Sequence, residues 1–375
     1  MVINMPRTKL LYLSAVSAPQ QVKFCEALQK YFEASFWFYE SSARTRGAWW
    51  DLDLGNHCTI LDSVVGVHDG ISGGRYWVNG LSVKLDRLDP DIIILGGFSI
   101  PSNYIAYRWA RRNEKRCVVF TERSRDKNGK PRGRSLVWRL LRWFYRDLDL
   151  VIVSSDDVLT QFRDEFEFGD RVVTGRYAAD LDGYGTHPLR KPQPAYTYLF
   201  ANRLTEIYNP LGALKIFALI LAKYPGSRLL MNAAGELGEL CRARIEDLGI
   251  SESVEFLTGI QSWDQLHTVY ARCDILILPA NFSNGNFTIL EAMASGMGVV
   301  VSDRVLGIGK IIKDGVNGFN CEPTIEAFVD RIEHYIRQPE LFITHAEANR
   351  SLAEPFSAAG TAKLFFDTFS KKYYC

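Results

Sequence analysis

The sequence lacks both cysteine pairs at metal-binding spacing and apolar runs of membrane-spanning length. Its seven cysteines are scattered, mostly through apolar stretches. This pattern indicates reduced, buried thiols and disfavours a structural zinc site. No stretch reaches the roughly 18 apolar residues that a transmembrane helix requires. We therefore expect a cytoplasmic protein, free or peripheral at the inner face of the cell membrane.

The chain also lacks a strong net charge, because 44 Lys and Arg residues almost balance 43 Asp and Glu residues. The balance is uneven along the chain. Residues 106–146 contain fourteen basic and three acidic residues, a local excess of +11. An excess of this kind predicts an anionic partner for that surface. Nucleic acid is disfavoured, because no nucleic-acid-reading motif is present.

What the chain does have is a regular alternation of strand-length apolar runs with segments of helical periodicity. The runs are rich in Val, Ile and Leu on both faces, which is typical of parallel strands covered by helices. The predicted strands form two blocks of five: residues 9–14, 34–39, 91–95, 117–121 and 150–154, then residues 197–201, 228–233, 254–257, 275–279 and 298–302. The fold class is therefore α/β, with two Rossmann-like, doubly wound domains facing a cleft.

Three prolines within residues 187–195 predict a stiff connector between the two blocks. We place an N-terminal domain at residues 1–194 and a C-terminal domain at residues 195–353. An amphipathic helix within residues 354–375 follows, with Leu364, Phe365 and Phe369 on one side. We expect it to pack back on the N-terminal domain.

The most informative segment is residues 279–303, which read PANFSNGNFTILEAMASGMGVVVSD. A strand leads into an Asn- and Gly-rich loop, and a helix begins near Phe287 or Thr288. Free N–H groups at such a helix start bind phosphate oxygens, and Gly285 permits a close backbone approach. Glu291, one turn inside the helix, has two interpretations: it binds ribose hydroxyls, or it complements the dipole of its own helix.

Residues 290–296 (LEAMASG) and 307–319 (GIGKIIKDGVNGF) resemble the donor-site signature of glycosyltransferase family 4, a family of retaining GT-B enzymes. Residues 200–204 (FANRL), 234–238 (AGELG) and 256–259 (FLTG) resemble further landmarks of that family, in the same order. The resemblance is clear over residues 197–323. Over residues 1–190 it rests on strand order and on residues 90–97.

The resemblance implies that the domain at residues 195–353 binds the nucleotide sugar and that the domain at residues 1–194 binds the acceptor. It also implies roles for individual residues. Glu291 would bind the ribose of the nucleotide sugar, and Arg203 would bind the donor phosphates and stabilise the departing diphosphate. The remaining residues implied for the donor site are Gly259, Asn284, Gly285, Asn286, Phe287 and Thr288. The family implies neither a metal ion nor any other cofactor, because the nucleotide sugar is itself the donor substrate.

Two positions depart from the family pattern. Ser283 stands where the family usually has a second glutamate, eight positions before Glu291. Tyr208 and Asn209 stand where a lysine usually follows the arginine. We keep Ser283 as a candidate catalytic position. The departures are consistent with a donor of different hydroxyl pattern or with reduced activity.

Three other signals have competing interpretations. Asp51–Asp53 and Asp147–Asp149 match the Asp-x-Asp metal motif, but such tripeptides are frequent by chance, and we predict no metal site. Glu122 ends a predicted strand and is a candidate to orient an acceptor hydroxyl or act as a base. The alternative for Glu122 is an ion pair with a neighbouring arginine. His57 and His68 are interpreted as surface or packing residues.

Residues 132–146 combine Arg134, Arg139, Arg142 and Arg146 with aromatic and aliphatic residues, including Trp138 and Trp143. Such a helix suits an anionic membrane interface. A helix that covers the first sheet with its basic side in water is the alternative.

The function predicted from these features is transfer of a sugar from a nucleotide-sugar donor to a glycan or lipid-linked acceptor. We expect it to act in assembly of cell-surface polysaccharide or lipopolysaccharide. Two alternatives remain: a sugar-nucleotide epimerase on the same fold, and a catalytically silent, sugar-nucleotide-binding partner subunit.

Overall fold

The computed structural model describes residues 7–41, 53–62, 64–67, 75–122, 136–189, 195–260, 262–283 and 287–373. The chain divides into two compact units. The first contains residues 1–180 and 358–375, and the second contains residues 181–357. The first unit is therefore built from both ends of the chain.

The first unit is organised around a parallel sheet whose strands occur in the order β3-β2-β1-β6-β7-β8-β9. These strands are β1 (Lys9–Ser17), β2 (Glu33–Ser41), β3 (Cys58–Ile60), β6 (Ile92–Gly96), β7 (Arg116–Thr121), β8 (Leu150–Val153) and β9 (Val172–Thr174). A separate antiparallel hairpin is formed by β4 (Val64–Val67) and β5 (Arg75–Val78). The described helices of this unit are α1 (Pro19–Leu28), α2 (Leu81–Leu88), α3 (Pro101–Arg112), α4 (Leu136–Phe144), α5 (Asp156–Thr160) and, from the end of the chain, Ala358–Tyr373.

The second unit contains a parallel sheet of strand order β12-β11-β10-β13-β14-β15. Its strands are β10 (Thr197–Phe200), β11 (Arg228–Asn232), β12 (Val254–Leu257), β13 (Ile275–Leu278), β14 (Gly298–Ser302) and β15 (Phe319–Cys321). Its described helices are α6 (Pro210–Lys223), α7 (Gly238–Asp247), α8 (Leu266–Ala271), α9 (Phe287–Ala294), α10 (Ile308–Ile311), α11 (Ile325–Arg337) and α12 (Pro339–Ala353), and the last helix of the chain, Ala358–Tyr373, is α13.

All ten predicted strands are present, and the predicted α/β class with two doubly wound sheets is confirmed. The strands that the sequence analysis missed, β3, β4, β5, β9 and β15, are only three or four residues long. Their apolar runs are too short to stand out from loop segments.

The last helix, α13, packs against α1 within the first unit. Phe365 and Phe369 are buried in the same core cluster as Phe24 of α1 and Phe36 of β2. The Phe365 ring meets the Phe24 ring edge to face, with centroids 5.1 Å apart. The amphipathic side identified in the sequence is thus the side that faces this core, although Leu364 is only half-buried.

The division between the units falls after Asp180, earlier than the boundary near residue 194 that the prolines predict. The reason is that residues 181–189 pack on the second unit. Tyr184 packs against Tyr270 at 5.2 Å between ring centroids, and the Arg350 guanidinium donates to the His187 carbonyl. These contacts fix the segment before the prolines begin.

Helix α4 corrects the prediction for Trp138. Its indole is stacked on Phe166, with ring centroids 4.0 Å apart, and is only 8% exposed. Trp143, in contrast, is 59% exposed. Periodicity explains the difference, because residues five apart on a helix point to different sides. Within the described part of the chain, no helix combines the length and apolarity needed to cross a membrane.

Candidate functional site

The second sheet reverses its strand order between β10 and β13, since β11 lies on one side of this pair and β14 on the other. The loops that leave the carboxyl ends of β10 and β13 therefore diverge. Ligands of open α/β sheets bind in the crevice at such a point. The predicted donor residues Arg203, Phe287, Thr288 and Glu291 all come from these two loops and the helix that follows β13.

Asparagine side chains join the loops along this edge. The Thr288 hydroxyl, at the start of α9, donates to the Asn202 side-chain oxygen after β10 at 3.0 Å. The Asn232 amide, at the end of β11, donates to the Ala201 carbonyl at 2.9 Å. The Asn281 amide donates to the Glu206 carbonyl at 2.9 Å. The sequence analysis missed the roles of Asn202, Asn232 and Asn281, although each stands within a few residues of a strand end, which was the available signal.

Glu291 lies in α9, four residues after Phe287 at the start of the helix, and is only 3% exposed. The hydroxyl of Tyr270, in α8, donates a hydrogen bond to its Oε2 atom. Burial, followed by the charge of Glu291, raises the pKa of Tyr270 well above its ordinary value. The phenol therefore keeps its proton and acts as a donor to the carboxylate.

Arg203 follows Asn202 directly and its side chain is exposed. The backbone beside it is fixed by the glycine loop after β11. Leu204 donates its N–H to the Ala234 carbonyl at 2.8 Å, and its own carbonyl accepts from Leu237 N–H at 2.9 Å. Arg203 is thus an exposed, charged side chain on a fixed backbone, at the edge of the sheet where ligands of such folds bind.

The other residues predicted for the donor site are placed as follows. Phe287 and Thr288 form the first turn of α9. Gly259 lies after β12, exposed, with a φ of +79°. Asn284, Gly285 and Asn286 lie outside the described residues.

Glu122, the candidate in the first unit, directly follows β7 and is exposed. Its Oε1 atom accepts a hydrogen bond from the Tyr177 hydroxyl at 2.5 Å. Burial and then the Glu122 charge raise the pKa of Tyr177 well above the ordinary value of a tyrosine. The described partner of Glu122 is thus a phenol, whereas the sequence analysis weighed an arginine.

The structure describes three of the four aspartates in the two Asp-x-Asp tripeptides. Asp149 accepts the Cys117 N–H at 2.8 Å and lies 3.4 Å from the Arg116 guanidinium, which gives it a structural role at the start of two strands. Asp53 accepts the Gly55 N–H at 3.0 Å in a turn. Asp51 and His68 lie outside the described residues. Among the residues described, no cluster of His, Cys, Asp and Glu has the geometry of a metal site.

Comparisons with known proteins agree with this architecture. The family model described as "Glycosyl transferases group 1" matches residues 187–351, and that described as "Glycosyltransferase Family 4" matches residues 45–175. The crystal structure of a glycosyltransferase from Rickettsia africae superposes with a TM-score of 0.75 at 14% identity, covering 98% of this chain and 99% of that one. The chain carries the domains of a GT-B glycosyltransferase.

Two further similarities are consistent with this assignment. Anabaena HepE, solved in complex with UDP, gives a TM-score of 0.72 at 16% identity, covering 97% of this chain and 100% of that one. An uncharacterized glycosyltransferase of Haemophilus influenzae is 28% identical over 144 residues, 38% of this chain and 40% of that protein. The chain thus spans less than half the length of this curated relative.

The two departures from the family pattern have structural partners. Asn209 adopts a left-handed conformation (φ +54°) and caps α6, its side-chain oxygen accepting the Gly212 N–H at 3.0 Å. Ser283 is buried, and its carbonyl accepts the Leu306 N–H at 2.9 Å, which ties the loop after β13 to the loop after β14.

Gly235 provides a test of how tightly the loops after β10 and β11 pack against each other. It has a φ of +145°, and a Cβ there would lie 2.4 Å from the Leu204 carbonyl oxygen. We expect Gly235→Ala to lower the free energy of unfolding by at least about 3 kcal/mol, since backbone strain adds to a clash with backbone. Urea denaturation measures this.

Gly249→Ala is the matched control. Gly249 also has a positive φ (+65°), but among the described residues no heavy atom beyond its own and those of its two chain neighbours lies within 4 Å of the position that a Cβ would take there. This variant should cost only about 1 kcal/mol. Equal losses for the two variants would show that the two loops can separate without penalty.

Proposed function

We propose that this chain transfers a sugar from a nucleotide-sugar donor, bound by the second unit, to a glycan or lipid-linked acceptor. The observation that carries the proposal is the buried Glu291 carboxylate, which a tyrosine holds at the strand-order reversal of a GT-B second unit. Two ribose hydroxyls are suitable partners for a carboxylate in this position. The structural neighbour solved with UDP supports the kind of donor.

The proposed reaction retains the configuration of the transferred sugar. Arg203 and the N–H groups at the start of α9 would stabilise the negative charge that develops on the departing nucleoside diphosphate. The proposed phosphate loop consists of Asn284, Gly285 and Asn286. Ser283 directly precedes this loop in the chain. Glu122, in the first unit, would orient the acceptor hydroxyl.

The purified chain, incubated with a panel of nucleotide sugars, provides the test of activity. Slow release of free sugar is expected, because water replaces the missing acceptor. Formation of an epimerised nucleotide sugar would identify an epimerase instead. Binding without turnover, even with acceptor extracts, would identify a silent partner subunit.

Glu291→Ala tests the ribose contact. We expect nucleoside diphosphate binding to weaken by about 1.5–3 kcal/mol, the usual contribution of hydrogen bonds to a charged group. Isothermal titration calorimetry with UDP, GDP, ADP and CDP measures the loss on the tightest binder. Glu333→Ala is the control, because Glu333 is a buried glutamate of the same unit whose partners are Lys223 and Arg337. A folded Glu291→Ala variant of unchanged affinity would remove Glu291 from the site.

Arg203→Ala tests the phosphate contact. Turnover should fall by at least about a hundredfold, because the guanidinium acts mainly as charge builds up on the leaving group. Steady-state kinetics of donor hydrolysis measure this effect. Arg228→Ala is the control, since Arg228 is an exposed arginine at the amino end of β11 and thus at the opposite edge of the sheet. A rise in the donor KM with unchanged kcat would limit Arg203 to ground-state binding.

We also propose that α4 rests on an anionic membrane surface. Leu136, Leu140 and Trp143 are 69%, 48% and 59% exposed on this helix. The exposed Arg139 and Arg146 flank them. Arg142 is partly neutralised by an ion pair with Glu167, and the Arg146 guanidinium lies 3.6 Å from the Asp147 carboxylate. Exposed apolar side chains bordered by arginine are typical of helices that lie in the headgroup region.

Vesicle co-sedimentation tests this surface. Binding should require anionic lipid and decrease steeply with salt, because each basic residue contributes about 1 kcal/mol and is screened within a Debye length. Arg139→Gln with Arg146→Gln should release the protein while donor hydrolysis persists. The matched control is Arg242→Gln with Arg244→Gln in α7 of the second unit, which should leave vesicle binding unchanged. Indifference to anionic vesicles at low salt would favour a soluble, polyanionic acceptor for the basic segment.

A further inference from the structure

The contact between Tyr270 and Glu291 joins the two helices on either side of β13 in the chain. Tyr270 belongs to the short helix α8 before β13, and Glu291 belongs to α9 after it. Tyr270 is only 1% exposed, and its hydroxyl donates to Oε2 of Glu291. A hydrogen bond from a buried donor restricts the rotation of the carboxylate about its side-chain torsions.

The ring of Tyr270 is itself held in place. Tyr184, 2% exposed, meets it edge to face at a centroid distance of 5.2 Å and an interplanar angle of 72°. Edge-to-face packing of this kind is directional and stabilises one ring orientation. Gly183, beside Tyr184, lies so close to α8 that a Cβ there would be 2.8 Å from the His267 ring.

We infer that Tyr270 is a positioning residue for nucleotide binding: by fixing one carboxylate oxygen of Glu291, it directs that carboxylate toward the ribose hydroxyls. The inference rests on the proposed function, in which Glu291 binds ribose. The raised pKa of Tyr270 supports it, because burial and the Glu291 charge keep the phenol protonated and therefore a hydrogen-bond donor. Tyr184 packs against the Tyr270 ring and thereby influences the Glu291 carboxylate indirectly, through Tyr270.

The test compares ribonucleotides with deoxyribonucleotides. The nucleotide that binds most tightly among UDP, GDP, ADP and CDP is titrated into the unchanged protein and into the Tyr270→Phe variant. Its 2′-deoxy counterpart is then titrated into both proteins. Tyr270→Phe keeps the ring and its packing on Tyr184 and removes only the hydroxyl. The affinity for the ribonucleotide should fall about tenfold, the effect of losing a hydrogen bond to a charged group. The affinity for the deoxynucleotide should change much less, so that the preference for ribose decreases.

Tyr335→Phe is the matched control. Tyr335 is also a fully buried tyrosine of the second unit with a hydrogen-bonded hydroxyl, but its partners are the Val299 N–H at 3.3 Å and His345 at 3.0 Å. This variant should lose stability without losing the preference for ribose. Equal losses of ribonucleotide and deoxynucleotide affinity in Tyr270→Phe would indicate a merely structural role and overturn the inference.

Double substitution separates this inference from the proposed function. In a Glu291→Ala background, Tyr270→Phe should weaken binding no further, because its effect passes through Glu291. If Glu291→Ala weakens binding and Tyr270→Phe does not, the inference fails and the donor site stands. If neither variant changes affinity, the donor site itself fails.

A second variant covers the case in which Tyr270→Phe does not fold. Tyr184→Leu leaves the phenol of Tyr270 in place and removes the ring that supports it. The preference for ribose over deoxyribose should then decrease about threefold, a smaller effect than loss of the hydroxyl itself. An unchanged preference in Tyr184→Leu would overturn the inference independently.

Discussion

The reversal of strand order between β10 and β13 is the constraint on which the donor site depends. The chain that leaves β10 turns toward β11, and the chain that leaves β13 turns toward β14. The two loops therefore separate where they begin. The hydrogen bond from Thr288 to Asn202 joins them where they would otherwise part. Arg203 and Glu291 acquire defined positions because their backbones belong to these joined segments.

The opposite, amino edge of the sheets uses carboxylates for a different purpose. Asp91 accepts the Lys9 N–H at 2.9 Å, Asp149 the Cys117 N–H at 2.8 Å, and Asp274 the Thr197 N–H at 2.8 Å. In each case an aspartate just before one strand accepts an N–H group at the start of the neighbouring strand, from its first residue in β1 and β10 and from its second residue in β7. Both units use this device, which satisfies backbone donors that the sheet ladder leaves unpaired.

This separation of the two edges bears on the different interpretations that the sequence analysis gave to Asp149 and Glu291. Asp149 matched a metal motif by spacing, but it precedes an apolar strand, whereas Glu291 follows one. Position relative to the strand, more than residue type, separates structural from ligand-facing carboxylates in parallel sheets. The sequence carries that information wherever the strands are long apolar runs, and all ten such runs were identified.

What the sequence could not supply were contacts between segments distant in the chain. Neither the burial of Trp138 against Phe166 nor the attachment of residues 181–189 to the second unit has a local signal. The prolines of residues 187–195 predicted a stiff connector but could not show how early the chain joins the second unit. The asparagine contacts, likewise, pair residues up to 86 positions apart, as for Asn202 and Thr288.

The departures at Tyr208 and Asn209 have a consequence for how the proposed site would hold a diphosphate. Asn209 is engaged as the cap of α6, so this position contributes to helix formation and not to phosphate charge. In the proposed site, backbone N–H groups at the start of α9 would provide ground-state affinity for an anion, because a helix N-terminus attracts negative charge irrespective of its side chains. Turnover requires more, because stabilisation must increase as the leaving group gains charge. In the proposed site that requirement falls largely on Arg203, and its contribution to kcat therefore distinguishes a transferase from a subunit that only binds nucleotide.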